Sequence, residues 1–161
     1  MKILIADKVS AKMVADLQSL GCEVALEPDL SAEALPAALA GVEILIVRSK
    51  QVTAAAIEAV FAETEEQARA QFGAEGVESS RLTFKRYGKF RYQNQEHTTE
   101  VLIATGTITD ARLSDIEAAF HDTYEREYTY RLGAPVEMVG IHLVASAEVG
   151  KLTMKKRAPS T

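Results

Sequence analysis

The chain has 161 residues, 47% of them hydrophobic, and its 23 acidic against 18 basic side chains leave a formal net charge of −5. That length holds one domain or two very small ones, and the acidic balance argues against general affinity for nucleic acid. Cys22 is the single cysteine, which excludes an intrachain disulfide and an all-cysteine metal site.

No apolar run is long enough to span a bilayer, and Asp7 places an acid too early for a signal peptide. A cytoplasmic protein is therefore expected. Ile3-Leu4-Ile5 predicts a short buried strand over 2–6. Ser10 is placed to cap a helix over 11–20 whose apolar stripe is Met13, Val14, Leu17 and Leu20, with Gly21 closing it. A second strand follows over 22–26. Ser31 is a cap for a helix through Leu39, inside which Pro36 either delays the start or costs a hydrogen bond. Ile44-Leu45-Ile46-Val47 predicts a third strand.

Residues 52–76 predict one long helix, capped by Thr53, carrying Ile57, Val60, Phe61, Ala68 and Phe72 on one face, with Gly73 and Gly76 as stops. After it the pattern changes to period two. Leu82, Phe84, Phe90 and Tyr92 fall on one face of a strand, and Arg81, Lys85, Lys89 and Arg91 fall on the other. Gly88 marks a bulge or bend. A returning strand is expected over 97–103, and a helix capped near Thr109 or Asp110 with Leu113, Ile116, Phe120 and Tyr124 as its stripe. A last strand over 136–147 and a loose tail over 151–161 complete the chain.

Alternating strand and helix is the grammar of a parallel sheet with crossover connections, in which ligands lie beyond the carboxyl ends of the strands. The candidate anion site there is Arg48, Ser49, Lys50 and Thr53, two cations beside a helix N-terminus. In the competing reading Arg48 caps a neighbouring carbonyl and Lys50 is solvated. The stretch Lys2-Ile3-Leu4-Ile5-Ala6-Asp7-Lys8-Val9-Ser10, then Ile44-Leu45-Ile46-Val47-Arg48-Ser49, Val52-Thr53 and Ile57-Glu58-Ala59, resembles the start of D-3-phosphoglycerate dehydrogenase, a D-2-hydroxyacid dehydrogenase. The resemblance covers about residues 1–59 and implies a flavodoxin-like, substrate-side half-domain. No Gly-x-Gly-x-x-Gly occurs, so the phosphate-cradling turn of a dinucleotide site is missing and hydride transfer has no cofactor to run on.

Phe90-Arg91-Tyr92-Gln93-Asn94-Gln95-Glu96-His97, then Phe120-His121-x-x-Tyr124-Glu125-Arg126-Glu127-Tyr128-Thr129-Tyr130, then Pro135-Val136-Glu137-Met138-Val139, resembles the C-terminal region of the hydantoinase A and acetone or acetophenone carboxylase group. That resemblance covers about residues 61–151 and implies an accessory module that packs on other domains or subunits of ATP-dependent enzymes.

The fold expected is α/β: a truncated flavodoxin-like parallel β-α-β-α-β unit over 1–60 and a small α+β module with antiparallel strands over 61–150. A helix over 53–72 joins and is shared by them, with its first turns on the parallel sheet and its later turns on the antiparallel strands. Tyr87, Phe90, Tyr92, Tyr124, Tyr128 and Tyr130 are the candidate interface, which if exposed would favour self-association or docking on larger enzyme subunits. His121 and Glu125, four apart on a helix, suit a local hydrogen bond or ion pair better than a metal site, which needs three or four convergent ligands. His142 is expected as a buried imidazole bonded to a backbone group. The basic strand face is expected to be solvated or covered by Glu63, Glu65 and Glu66 rather than to grip nucleic acid.

No catalytic set, metal site or cofactor is assigned. The residues point to a non-catalytic structural or interaction protein, and two enzyme fragments joined inside one helix imply a recombined or engineered chimera. Two alternatives stand beside it: an accessory part of an ATP-dependent hydantoinase or acetone-carboxylase-type enzyme, and a weak binder of small carboxylates or phosphate at the Arg48 loop.

Overall fold

Ile3, Leu4 and Ile5 are buried on both faces because β1 (Lys2–Ile5) is the central strand of a parallel sheet of order β2-β1-β3, flanked by β2 (Glu23–Leu26) and β3 (Ile44–Ile46). The structure is a computed structural model that describes residues 1–47, 51–104 and 106–148. The tail expected over 151–161 lies outside the described residues. Between β1 and β2 runs α1 (Ala11–Ser19), whose cap is Ser10: its hydroxyl accepts the Met13 N–H at 3.2 Å. Gly21, at φ +80°, supplies the left-handed turn that ends it.

The helix expected from Ser31 through Leu39 is cut to one turn, α2 (Leu35–Ala38). Ser31 does cap, accepting the Ala34 N–H at 3.2 Å, but residues 32–34 form a turn. Pro36 lacks an N–H and sits in the first helical turn, the position a proline tolerates, so the helix starts late.

α3 (Ala54–Ala74) is unbroken through residues 59–63, and Thr53 caps it by accepting the Ala56 N–H at 3.2 Å. Gly73 stays helical; the stop comes at Gly76, at φ +80°. Following a 3₁₀ turn at Ser79–Arg81 come β4 (Leu82–Tyr92), β5 (Thr99–Ile103), α4 (Asp110–Tyr128) and β6 (Val136–Ala147). These strands form a separate antiparallel sheet of order β5-β4-β6. The molecule is therefore mixed α/β, with one parallel and one antiparallel three-stranded sheet.

α3 serves both sheets, though not in the way expected. Ala56 and Val60 pack with Leu4, Ala6, Leu35 and Leu39 of the parallel unit. Ala54, Ile57 and Phe61, from the same turns, pack with Ile103 and Ile108 and against Met138, Ile141 and Leu143. The division runs by helix face and not along helix length, so Ile57, Val60 and Phe61 do not form one stripe with one target. Positions 56 and 60 are one turn apart, and 57 and 61 sit 100° further round. Fully burying Phe61 is worth about 1.5–3 kcal/mol.

A third cluster fills the other half of the antiparallel sheet, where Phe90, Tyr92 and Val101 meet Phe120 and Tyr124 of α4. The Tyr92 ring packs edge-on to Phe120 at 5.0 Å and to Tyr124 at 4.8 Å between centroids. Gly88 makes this packing possible. The β4–β6 register shifts between Lys89 and Phe90, placing the expected irregularity one residue on. A Cβ on Gly88 would stand 2.3 Å from Cε2 of Phe90. Gly88→Ala should therefore lower stability in urea by about 1–3 kcal/mol through overpacking. Gly88→Ala/Phe90→Leu should cost less than the sum of the two single changes; additivity would show that the ring and the glycine do not compete for space.

Candidate functional site

Of the candidate anion site, Arg48, Ser49 and Lys50 lie outside the described residues. Thr53 is described, and its hydroxyl is engaged by the α3 cap. Asp7, at the carboxyl end of β1, is buried, and its Oδ1 accepts the Lys8 N–H at 2.9 Å.

The candidate interface aromatics divide. Phe90, Tyr92 and Tyr124 are core residues of this chain, so they present no surface to a partner. They read as interface residues in the sequence because β4 and α4 each look amphipathic alone; packed on one another, they bury those faces together. Tyr87 lies half-buried on the opposite sheet face, stacked on His142 at 4.9 Å, while Tyr128 and Tyr130 are 39% and 47% exposed. Tyr130 donates to or accepts from the Tyr124 hydroxyl at 3.2 Å, and Tyr124 also donates to Gln95 Oε1 at 3.0 Å.

The strongest electrostatic feature is a cluster on the inner side of the antiparallel sheet. Arg86 donates through Nε to Glu65 Oε1 at 2.7 Å and through Nη1 to Glu58 Oε2 at 2.9 Å. Its side chain is only 13% exposed. Glu58 Oε2 also accepts the Ile108 N–H at 2.9 Å, and Arg69 Nη2 donates to Glu65 Oε2 at 3.1 Å. The Arg86 guanidinium lies 5.1 Å from the centre of the Phe61 ring, and that of Arg69 lies 4.8 Å from the centre of the Phe84 ring. Burial alone would lower the Arg86 pKa, but the hydrogen bonds and charges of Glu65 and Glu58 outweigh it and raise the pKa above the ordinary arginine value.

Arg86 is absent from the basic face expected from the odd-numbered residues. Its even number is the signal: it shares the inward face with Leu82, Phe84 and Phe90, opposite acids seven apart on α3. The outer face keeps Lys85 and Lys89 exposed, while Arg91 donates to Glu137 at 3.1 Å. It is not covered by Glu65, which turns inward to Arg86.

The histidines also differ from expectation. Glu125 pairs with Arg131 at 2.7 Å and not with His121. His121 Nδ1 shares a 2.9 Å hydrogen bond with the Tyr92 hydroxyl, and its Nε2 lies 3.8 Å from Glu117. His142 is part-exposed, and its partner is a side chain, Glu100 Oε2 at 3.0 Å, because that stretch of β6 turns it to the open sheet face. Among the described residues no three or more His, Cys, Asp or Glu side chains are grouped to hold a metal ion.

The sequence profile of the hydantoinase/oxoprolinase C-terminal domain matches residues 47–156, more than half of the chain. The chain belongs to that family. The match starts within the stretch that resembles a dehydrogenase, so all of α3 falls inside the family domain, as do both the Arg86 cluster and the antiparallel sheet. Residues 1–46 lie outside it. Among solved structures the chain is similar to nucleotide-free acetone carboxylase, at 19% identity and TM-score 0.56, covering 60% of this chain and 14% of that one. It is also similar to the ATP-dependent caprolactamase of Pseudomonas jessenii, at 17% identity and TM-score 0.46, covering 63% of this chain and 17% of that one. At such identities the first likeness shows the fold alone. The chain thus spans about a sixth or less of the length of these structures. No curated protein matches. No described helix is long and apolar enough to cross a membrane.

Within this hydantoinase/oxoprolinase C-terminal domain the Arg86 cluster fastens α3 to β4. Arg86→Met should cost about 3–5 kcal/mol in urea unfolding, because it strands two mostly buried carboxylates. The triple variant Arg86→Met/Glu58→Gln/Glu65→Gln should recover most of that loss; no recovery would place the loss in packing and not in charge.

The Tyr124 pKa is raised, first by its hydrogen bond to Tyr130 and then by burial, with Gln95 acting in the opposite direction. A raised folded-state pKa gives stability that is complete below the unfolded value of about 10 and is lost as pH rises through the folded value. The Tyr124 contribution to unfolding free energy should therefore be constant up to about pH 10 and then fall. Tyr130→Phe should shrink that alkaline loss, and a curve unchanged by Tyr130→Phe would remove this pair as its source.

Proposed function

We propose that this chain is an accessory, non-catalytic part of an ATP-dependent enzyme of the hydantoinase, oxoprolinase or acetone-carboxylase type, acting by packing against other domains or subunits. The carrying observation is the family match over residues 47–156. The geometry is in keeping with it. Arg86, Glu58 and Glu65 on the inner sheet face are spent on one another, and Phe90, Tyr92, Phe120 and Tyr124 are spent on the core. The exposed outer face of the antiparallel sheet, with Leu102 and Val144 among its exposed apolar residues, is the surface available for packing.

The dehydrogenase resemblance of residues 1–59, and the chimera it implies, gain no support from the comparisons. They support the accessory role better.

The test is reconstitution. Added to an acetone-carboxylase-type enzyme from which the matching C-terminal segment has been deleted, the chain should co-elute with it on gel filtration and raise the yield of assembled enzyme. Alone, the chain should hydrolyse ATP no faster than a buffer blank. ATP turnover by the isolated chain would overturn the non-catalytic reading, and separate elution at micromolar concentration would count against the accessory one.

A further inference from the structure

The core of the antiparallel unit is incompletely filled. A cavity of about 320 Å³ lies where the inner sheet face, α3 and α4 meet. Its floor is built from the buried Ile57, Phe90, Ile103 and Ile108, and Met138 and Ile116 form the walls. Val52 and Leu113, each 36% exposed, stand at the mouth. The vacancy has a local cause. The bulge beside Phe90 and the missing Cβ of Gly88 let the Phe90 ring fold back over the glycine, where it lines the space without filling it.

Apolar cavities of about 150 Å³ stay dry and take up benzene, so this one has room for a ring with a short substituent. Glu117 is the one ionisable residue among the described lining residues. Its side chain is 55% exposed, and the nearest described group able to carry a positive charge is His121 Nε2 at 3.8 Å. An apolar floor with a carboxylate at the rim fits a small amine whose aromatic or branched aliphatic body enters the cavity while its ammonium stays at the mouth. Anions meet both this carboxylate and a chain of net charge −5. Charge and shape thus select the same class of ligand, on side chains that neither the anion-site expectation nor the Arg86 cluster uses, Ile108 lending that cluster only its backbone N–H.

We propose that the cavity between α4 and the inner face of the antiparallel sheet is a binding site for a small primary amine with a compact apolar body, seated on Ile108 and Phe90 and held by Glu117. The proposal is independent of the accessory role, and its probes are benzylamine, toluene and benzoate.

Titrated into the intact chain and followed through the methyl signals of Ile108 and Met138, benzylamine should give saturable shifts. It should bind about fivefold tighter than toluene, the ratio that one charge-assisted hydrogen bond near the surface supplies. Benzoate should bind weakest. Glu117→Gln should bring benzylamine and toluene to within about twofold of each other while leaving toluene unchanged, a split that lost packing alone would not give. Leu113→Trp, or Ile108→Phe where that variant melts early, should block all three. Absence of saturable shifts with any probe, or a preference for benzylamine that survives Glu117→Gln, overturns the proposal.

Discussion

The Arg86 guanidinium is the constraint on which the arrangement of this molecule depends. It reaches from the middle of β4 into the grip of Glu58 and Glu65, two turns apart on α3. The apolar contacts of α3 are concentrated in its first turns, at Ala54, Ala56, Ile57 and Phe61. Beyond Phe61 the helix is mostly polar, and ionic and cation–π contacts take over: Glu65 to Arg86, and Arg69 to Phe84. Hydrophobic burial seats one end of the helix, and charge fixes its direction across the sheet. A pair as enclosed as this adds little net stability compared with an apolar replacement, but it penalises any register in which a carboxylate is left alone. Its contribution is specificity of position.

The same helix explains how a chain of this size carries two sheets with modest cores. Neither sheet is covered on its own. Ala56 and Val60 close the parallel unit, while Ala54, Ile57 and Phe61 close one half of the antiparallel one. Ala54 and Ala56 are suited to this because small side chains let strands and loops approach the helix from two directions. α4 then closes the remaining half through Phe120 and Tyr124.

Much of this was legible in the residues. The three parallel strands, the Ser10 and Thr53 caps and the span of β6 follow from local patterns, because capping and alternation are short-range properties. Three features were not legible, each for a tertiary reason. The α2 helix is shorter than expected because Ser31 satisfies a turn before Pro36 permits a helix. The stripe of α3 divides between two targets, which periodicity cannot show, since it reports that a face is apolar and not what covers it. The aromatic residues of β4 and α4 looked like surface because each element was judged without the other. Candidate residues 48–50 lie outside the described structure, and the cavity beside Phe90 arises from an absent side chain, for which sequence holds no symbol.

The pairing of β4 with β6 has a consequence for the order in which the molecule can assemble. Leu82 stands opposite Ala147, so this ladder joins residues about as far apart as the antiparallel unit allows. The parallel sheet needs only the first 46 residues, and α3 follows directly. Loop-closure entropy therefore favours early formation of the parallel unit with α3 docked on it, and delays closure of β6 until nearly the whole described chain is present. Until then the inner face of β4, with Phe90 and Tyr92, can be shielded only by α3 and α4. On a ribosome, β6 would be the last of the described strands to emerge and the one that seals the sheet, and the interval before it arrives is when the antiparallel unit is most exposed to misassembly.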